Sequence, residues 1–143
     1  MAIFVKTLTW PIISLLVTGA THFTLEAIWP DLRNTFVPAV LAPILLAYGL
    51  WVGYRAIGVG GTYLHAIAAA VVLGVLPVTL DVVGFGLLLG RGIDAGTTAG
   101  LFGMAVIVFG SLIGAGFALS GRTVAEAEER SPAASLLTDT LGY

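Results

Sequence analysis

Apolar and polar positions in this chain are segregated into long blocks and do not alternate residue by residue. Four stretches, about residues 10–28, 36–54, 63–89 and 97–119, are almost continuously apolar. A strand of a transmembrane barrel would alternate apolar and polar residues over about ten positions. A helix instead needs roughly 20 apolar residues to cross a hydrocarbon core about 30 Å thick, so each block predicts one crossing. The breaks are short: Trp29-Pro30-Asp31 closes the first block, Gly58-Val59-Gly60-Gly61 follows the second beyond Arg55, and Gly90-Arg91-Gly92-Ile93-Asp94 follows the third. Connections this short make neighbouring helices antiparallel. The pattern therefore predicts an all-α integral membrane protein, a four-transmembrane-helix up-down bundle over residues 1–121 with a short tail over 122–143.

Composition strengthens this expectation. Of 143 residues, 58% are hydrophobic and 10% charged, whereas a soluble domain carries about a quarter charged residues to cover its surface. Lys6 followed by an apolar run to Ala20 has the outline of a signal peptide, but the run continues to Ile28, so a retained helix is expected. Net charge is −2 with no basic patch, which argues against a nucleic-acid partner. There is no cysteine, which removes disulfides, thiolate catalysis and cysteine-held metal clusters.

Basic residues set an orientation, because Lys and Arg accumulate on the cytoplasmic side of a membrane. Lys6, Arg55, Arg122 and Arg130 fall on one side, Arg33 and Arg91 on the other. Both termini are thus expected in the cytoplasm, in a prokaryotic cytoplasmic membrane. Trp10, Trp51, Tyr54 and Tyr63 fall at the inner boundary, Trp29 and Phe36 at the outer. In the tail, Thr123 with Glu126 reads as a capping box opening a short helix through Arg130, and Ser131-Pro132 as a second helix start. Thr24-Leu25-Glu26 and Thr79-Leu80-Asp81 raise the idea of a duplicated hairpin.

Few residues offer chemistry. Asp81 lies well inside the third block, where a carboxylate costs on the order of 3 kcal/mol on insertion scales and so faces protein or a cavity. Pro77, one turn earlier, removes a backbone hydrogen bond and frees a carbonyl near Leu73, and a carboxylate beside such a break is a transporter arrangement. Ala66, Ala70, Gly74, Pro77, Asp81 and Gly84 share one helix stripe, which turns Asp81 toward a neighbouring helix. In the first block Ser14, Thr18, His22 and Glu26 recur every four residues. His22 and Asp81 fall at similar depths on parallel helices and are expected within reach of each other, directly or through water. Such a pair is either a proton relay or an interhelical lock.

Glycine supplies the remaining motif. Gly96, Gly100, Gly103, Gly110, Gly114 and Gly121 form a seam along the fourth block, echoed by Gly49 and Gly53 in the second. Seams of this kind bring helices together closely. Gly100, Gly103, Gly110 and Gly114, with Gly74 and Gly84, are the candidate packing positions, with some use expected outside the subunit.

No catalytic constellation is present, so an enzyme is not expected. The only lysine, Lys6, is terminal, which excludes a retinal Schiff base in the bundle. His22 and His65 fall at different depths and cannot clamp a haem between them, although one histidine alone can ligate a pigment. No metal or cofactor beyond bound lipid is expected. Two functional expectations result. One is a non-catalytic membrane subunit or scaffold packed by its glycine faces into a homo-oligomer or larger complex. The other is a small proton- or cation-coupled transporter or channel using Asp81 and His22 at the Pro77 break, with Thr18 and Glu26 along the pathway.

Overall fold

A computed structural model describes residues 1–33 and 37–129. Its elements are α1 (Ala2–Ile28), a 3-10 turn (Pro30–Arg33), α2 (Val37–Gly58), α3 (Tyr63–Thr79), a π-helical continuation of α3 (Leu80–Leu88), and α4 (Ile93–Glu129). Four helices are long and apolar enough to cross a membrane. Their outward faces carry large apolar side chains, among them Val17, Val75, Phe102, Phe109 and Phe117. Outward hydroxyls of Thr9, Thr21, Thr24, Thr97, Thr98 and Ser120 each donate to a carbonyl one turn back in their own helix. That bond satisfies them without water.

Helix ends follow from local chemistry. Pro30 cannot continue α1. At the end of α2, Gly61 N–H donates to the Ala56 carbonyl and Gly60 N–H to Ile57, with Gly60 at φ 91°. This is a Schellman closure, which needs a left-handed residue that glycine supplies without strain. α3 opens at Thr62, whose backbone N–H donates to His65 Nδ1 at 3.3 Å. The π stretch closes through wide loops, with Leu89 N–H reaching the Gly84 carbonyl and Arg91 N–H the Phe85 carbonyl.

The helices run around the bundle in the order α1, α2, α4, α3, so that α4 packs along α2 and α3 while α1 leans on α2 and α3. Glycines carry the tight contacts. A Cβ at Gly53 would overlap the Ser111 backbone, one at Gly110 the Leu46 carbonyl and Gly49 Cα, and one at Gly114 the Leu50 backbone. Because the paired numbers rise together, α2 and α4 are parallel. Toward α3 the pairs run oppositely: Gly100 meets Val78, Gly103 meets Pro77, and Gly74 meets Met104. Ser111 Oγ donates to the Ala66 carbonyl at 2.9 Å in the same buried seam. Phe4 lies beside His65, Gly19 beside Leu80 and Phe23 beside Gly84, so α1 and α3 are parallel. Tyr48, Val52, Leu73 and Ile107, with Leu8 and Leu15, form the main core, and Ala56, Ile57, Ala66 and Ala115 a second one.

Three differences from the sequence reading have physical causes. α1 starts at Ala2, not near Trp10, so Pro11 lies inside the helix; burial of Thr7 and Leu8 carries the helix across the proline. α4 does not stop near Leu119 but runs to Glu129. Thr123 Oγ1 accordingly donates back to the Ser120 carbonyl and opens no new helix, because nothing after Gly121 interrupts helical hydrogen bonding. The stretch after Pro77 is π-helical, not α-helical. Phe36, Arg130 and the helix start at Ser131-Pro132 lie outside the described residues.

A side chain at the α2–α4 contact forces two backbones apart. Gly53→Ala and Gly114→Ala are each expected to lose about 1–3 kcal/mol, the usual cost of overpacking. Gly121→Ala meets nothing within reach of its Cβ and is expected to gain about 0.5–1 kcal/mol in its helix. Denaturation in detergent, followed by circular dichroism, measures all three; a neutral Gly53→Ala would contradict the close α2–α4 approach.

Candidate functional site

The polar stripe of α1 faces inward and meets a different partner at each level. Deepest toward the termini, Ser14 Oγ and Tyr48 Oη lie 2.6 Å apart, and Thr18 Oγ1 stands 3.0 Å from the same Tyr48 oxygen. Thr18 also donates to the Ser14 carbonyl at 2.9 Å. These bonds link α1 to α2 through a hydroxyl network.

At the other end of the stripe, Glu26 is only 3% exposed and forms an ion pair with Arg91 from the α3–α4 turn. Gly90 and Gly92, at φ 67° and 93°, turn the chain back so that Arg91 folds over the bundle. Its guanidinium carbon stands 4.8 Å from the Phe85 ring centre, a distance at which a cation is drawn to the ring face. Burial lowers the Arg91 guanidinium from its ordinary value, though an arginine remains a cation at neutral pH. Phe85 also packs at 4.9 Å against the His22 ring and at 5.7 Å against Phe23. His22 Nε2 lies 3.7 Å from Glu26 Oε2, too far for a hydrogen bond.

Between these two levels α1, α2 and α3 line a cavity of about 240 Å³ that opens to the exterior beside Leu16 and Ala20. Its wall is mainly aliphatic, with Leu15, Leu16, Ile44, Leu45, Leu76 and Leu80. Thr18, His22 and Asp81 supply its polar side chains, and Pro77 part of its floor. Gly19 belongs to the same wall, and a Cβ there would crowd the Leu80 side chain. With Gly19 beside Leu80, His22 stands only about 3 Å above the level of Asp81 at 1.5 Å per residue. The Asp81 carboxylate makes no hydrogen bond or ion pair with any described residue.

Four of the sequence candidates, Thr18, His22, Pro77 and Asp81, thus share one cavity. Glu26 lies beyond it, in the Arg91 pair. His22 and Asp81 face the same space without touching, and His22 is nearer to Glu26. The packing candidates Gly74, Gly84, Gly100, Gly103, Gly110 and Gly114 all contact other parts of this chain. His65 serves at the far end, against Phe4 and Thr62. Among the described residues, no three His, Asp or Glu side chains converge where a metal ion would sit. Sequence reasoning missed Arg91, Tyr48 and Phe85. An acid and a base assigned to the same outer end would have paired Glu26 with Arg91; an aromatic inside an apolar helix carries no comparable signal.

No family model matches the chain, and no characterised protein or solved structure is significantly similar to it.

Removing one partner of a buried ion pair strands the other at a cost of about 3–5 kcal/mol, whereas replacing both by apolar groups is often nearly neutral. Glu26→Leu and Arg91→Leu are each expected to lower stability by about 3 kcal/mol, with the double variant recovering most of that loss. A double-mutant cycle on denaturation in detergent reads this coupling; strictly additive effects would contradict the pair.

Proposed function

We propose that the chain is an integral membrane protein of a prokaryotic cytoplasmic membrane, with both termini cytoplasmic, which carries protons or small cations through the cavity at Asp81. One observation carries the reading. Among the described residues Asp81 has no protein partner in a largely apolar cavity, although in the same bundle Glu26 receives the Arg91 guanidinium. A carboxylate at such depth is costly, and a purely structural one would be expected to hold a donor as Glu26 does. A transported ion is the missing partner. Pro77, one turn below Asp81, loosens the helix that carries it, and the π stretch that follows is a form often found at functional sites. His22, level with the cavity and adjacent to Glu26, is placed to pass a proton toward the outer end.

The second reading, a non-catalytic subunit or scaffold in a homo-oligomer or larger complex, drew its support from the glycine faces. Those faces make contacts within the chain, so the case for an outside partner is weaker and transport is the preferred reading.

Reconstitution separates the two. Vesicles containing the protein and an internal pH dye are expected to pass protons or a monovalent cation under a gradient. Asp81→Asn is expected to fall to the protein-free rate and His22→Ala to slow several-fold. Equal flux from wild type and both variants, or none from any, would reject transport and leave the scaffold reading.

A further inference from the structure

Resting on that reading of the Asp81 site, we propose that its substrate class is a small apolar amine carrying one positive charge, bound with its ammonium on the Asp81 carboxylate and its hydrocarbon part against the aliphatic wall. A bare inorganic cation gives up its hydration only for several oxygen ligands, and this wall offers too few of them. Asp81 contributes a carboxylate, and Thr18 an oxygen already engaged with Tyr48. Most of the remaining lining is leucine and isoleucine, which does nothing for a hydrated ion but removes a hydrocarbon group from water favourably.

Charge complementarity points the same way. Among the described residues, the ionisable side chains lining the cavity are Asp81 and His22, and the nearby Arg91 is held by Glu26. A monocation therefore balances Asp81, whereas an anionic ligand would meet no free guanidinium or ammonium there. An ammonium has donors and no acceptor, which suits a carboxylate that receives no hydrogen bond from the described residues. Size sets the upper limit. A volume of about 240 Å³ falls just below the range of drug-sized sites, which begins at about 300 Å³. A single-ring or short branched amine fits, and a bulky multi-ring cation does not.

The test uses the full-length protein in lipid nanodiscs and two matched probes, 2-phenylethylamine and the neutral 2-phenylethanol, with titration calorimetry corrected against empty nanodiscs. The amine is expected to bind saturably at one site per chain and the alcohol about tenfold or more weakly, the difference expected of a charge-assisted contact. Asp81→Asn, which keeps the side-chain shape, is expected to bring the amine to the affinity of the alcohol. Its melting temperature and helical content serve as the check on folding. Equal affinity for both probes, or amine binding unchanged in Asp81→Asn, would overturn the inference. If the amine does not bind while Asp81-dependent proton flux persists in vesicles, the substrate class is wrong and the transport reading stands. If neither binding nor flux is seen, both fall.

Discussion

In the proposed hydrocarbon setting, an ionisable side chain in this bundle has no water-facing exterior to retreat to, and the reading of the site follows from that constraint. The outward faces of the helices are apolar along most of their length, so each charge within them needs a partner inside the protein. Glu26 has one: Arg91 reaches back from a glycine turn and neutralises it, with Phe85 beneath the guanidinium. Asp81 does not. Two acids in one chain are thus treated differently, the buried Glu26 being paired and the half-buried Asp81 not paired by any described residue, and the contrast separates a structural charge from a candidate functional one.

Packing explains where the cavity forms. α2, α3 and α4 meet through glycine and alanine, with backbones close enough that a methyl group at Gly53, Gly110 or Gly114 would collide with the neighbouring helix. Interdigitation that close brings the backbones of those helices into contact. α1 lacks such a seam and leans on α2 and α3 through larger side chains and the Tyr48 hydroxyl network. The space therefore opens at the junction of α1 with α2 and α3, on the side where the polar stripe of α1 faces Asp81. Pro77 and the π stretch lie on the α3 side of the same junction, so the least regular backbone in the bundle adjoins the Asp81 cavity.

Much of this was legible in the order of residues. Block length and continuity gave four helices, because about 20 consecutive apolar residues have few other uses. The four-residue spacing from Ser14 to Glu26 and the small-residue stripe from Ala66 to Gly84 identified the inward faces, since helical periodicity fixes which residues share a side. What escaped depends on information that spacing does not hold. The first apolar block was expected to begin at about residue 10, yet α1 starts at Ala2 and buries Thr7 and Leu8 ahead of it. The glycine at 121 looked like an end, yet α4 needs no stop there. The Glu26–Arg91 pair joins positions far apart in sequence, and the orientation that makes it depends on the left-handed glycines at 90 and 92. The same holds for Tyr48, whose hydroxyl meets α1 only because α2 is rotated to bring it there.

Hydrocarbon, not water, is proposed to surround the bundle, and the chain's lack of cysteine makes that directly measurable. Single cysteines introduced at Val75 and Phe109, which point outward at mid-helix, and at Val124 near the end of α4, can carry nitroxide spin labels in liposomes. The labels at Val75 and Phe109 are expected to collide with dissolved oxygen and to be shielded from a polar nickel chelate, with the opposite pattern at Val124. Strong nickel contact at Val75 and Phe109, equal to that at Val124, would place those faces in water and remove the physical reason for reading Asp81 as anything more than a surface acid.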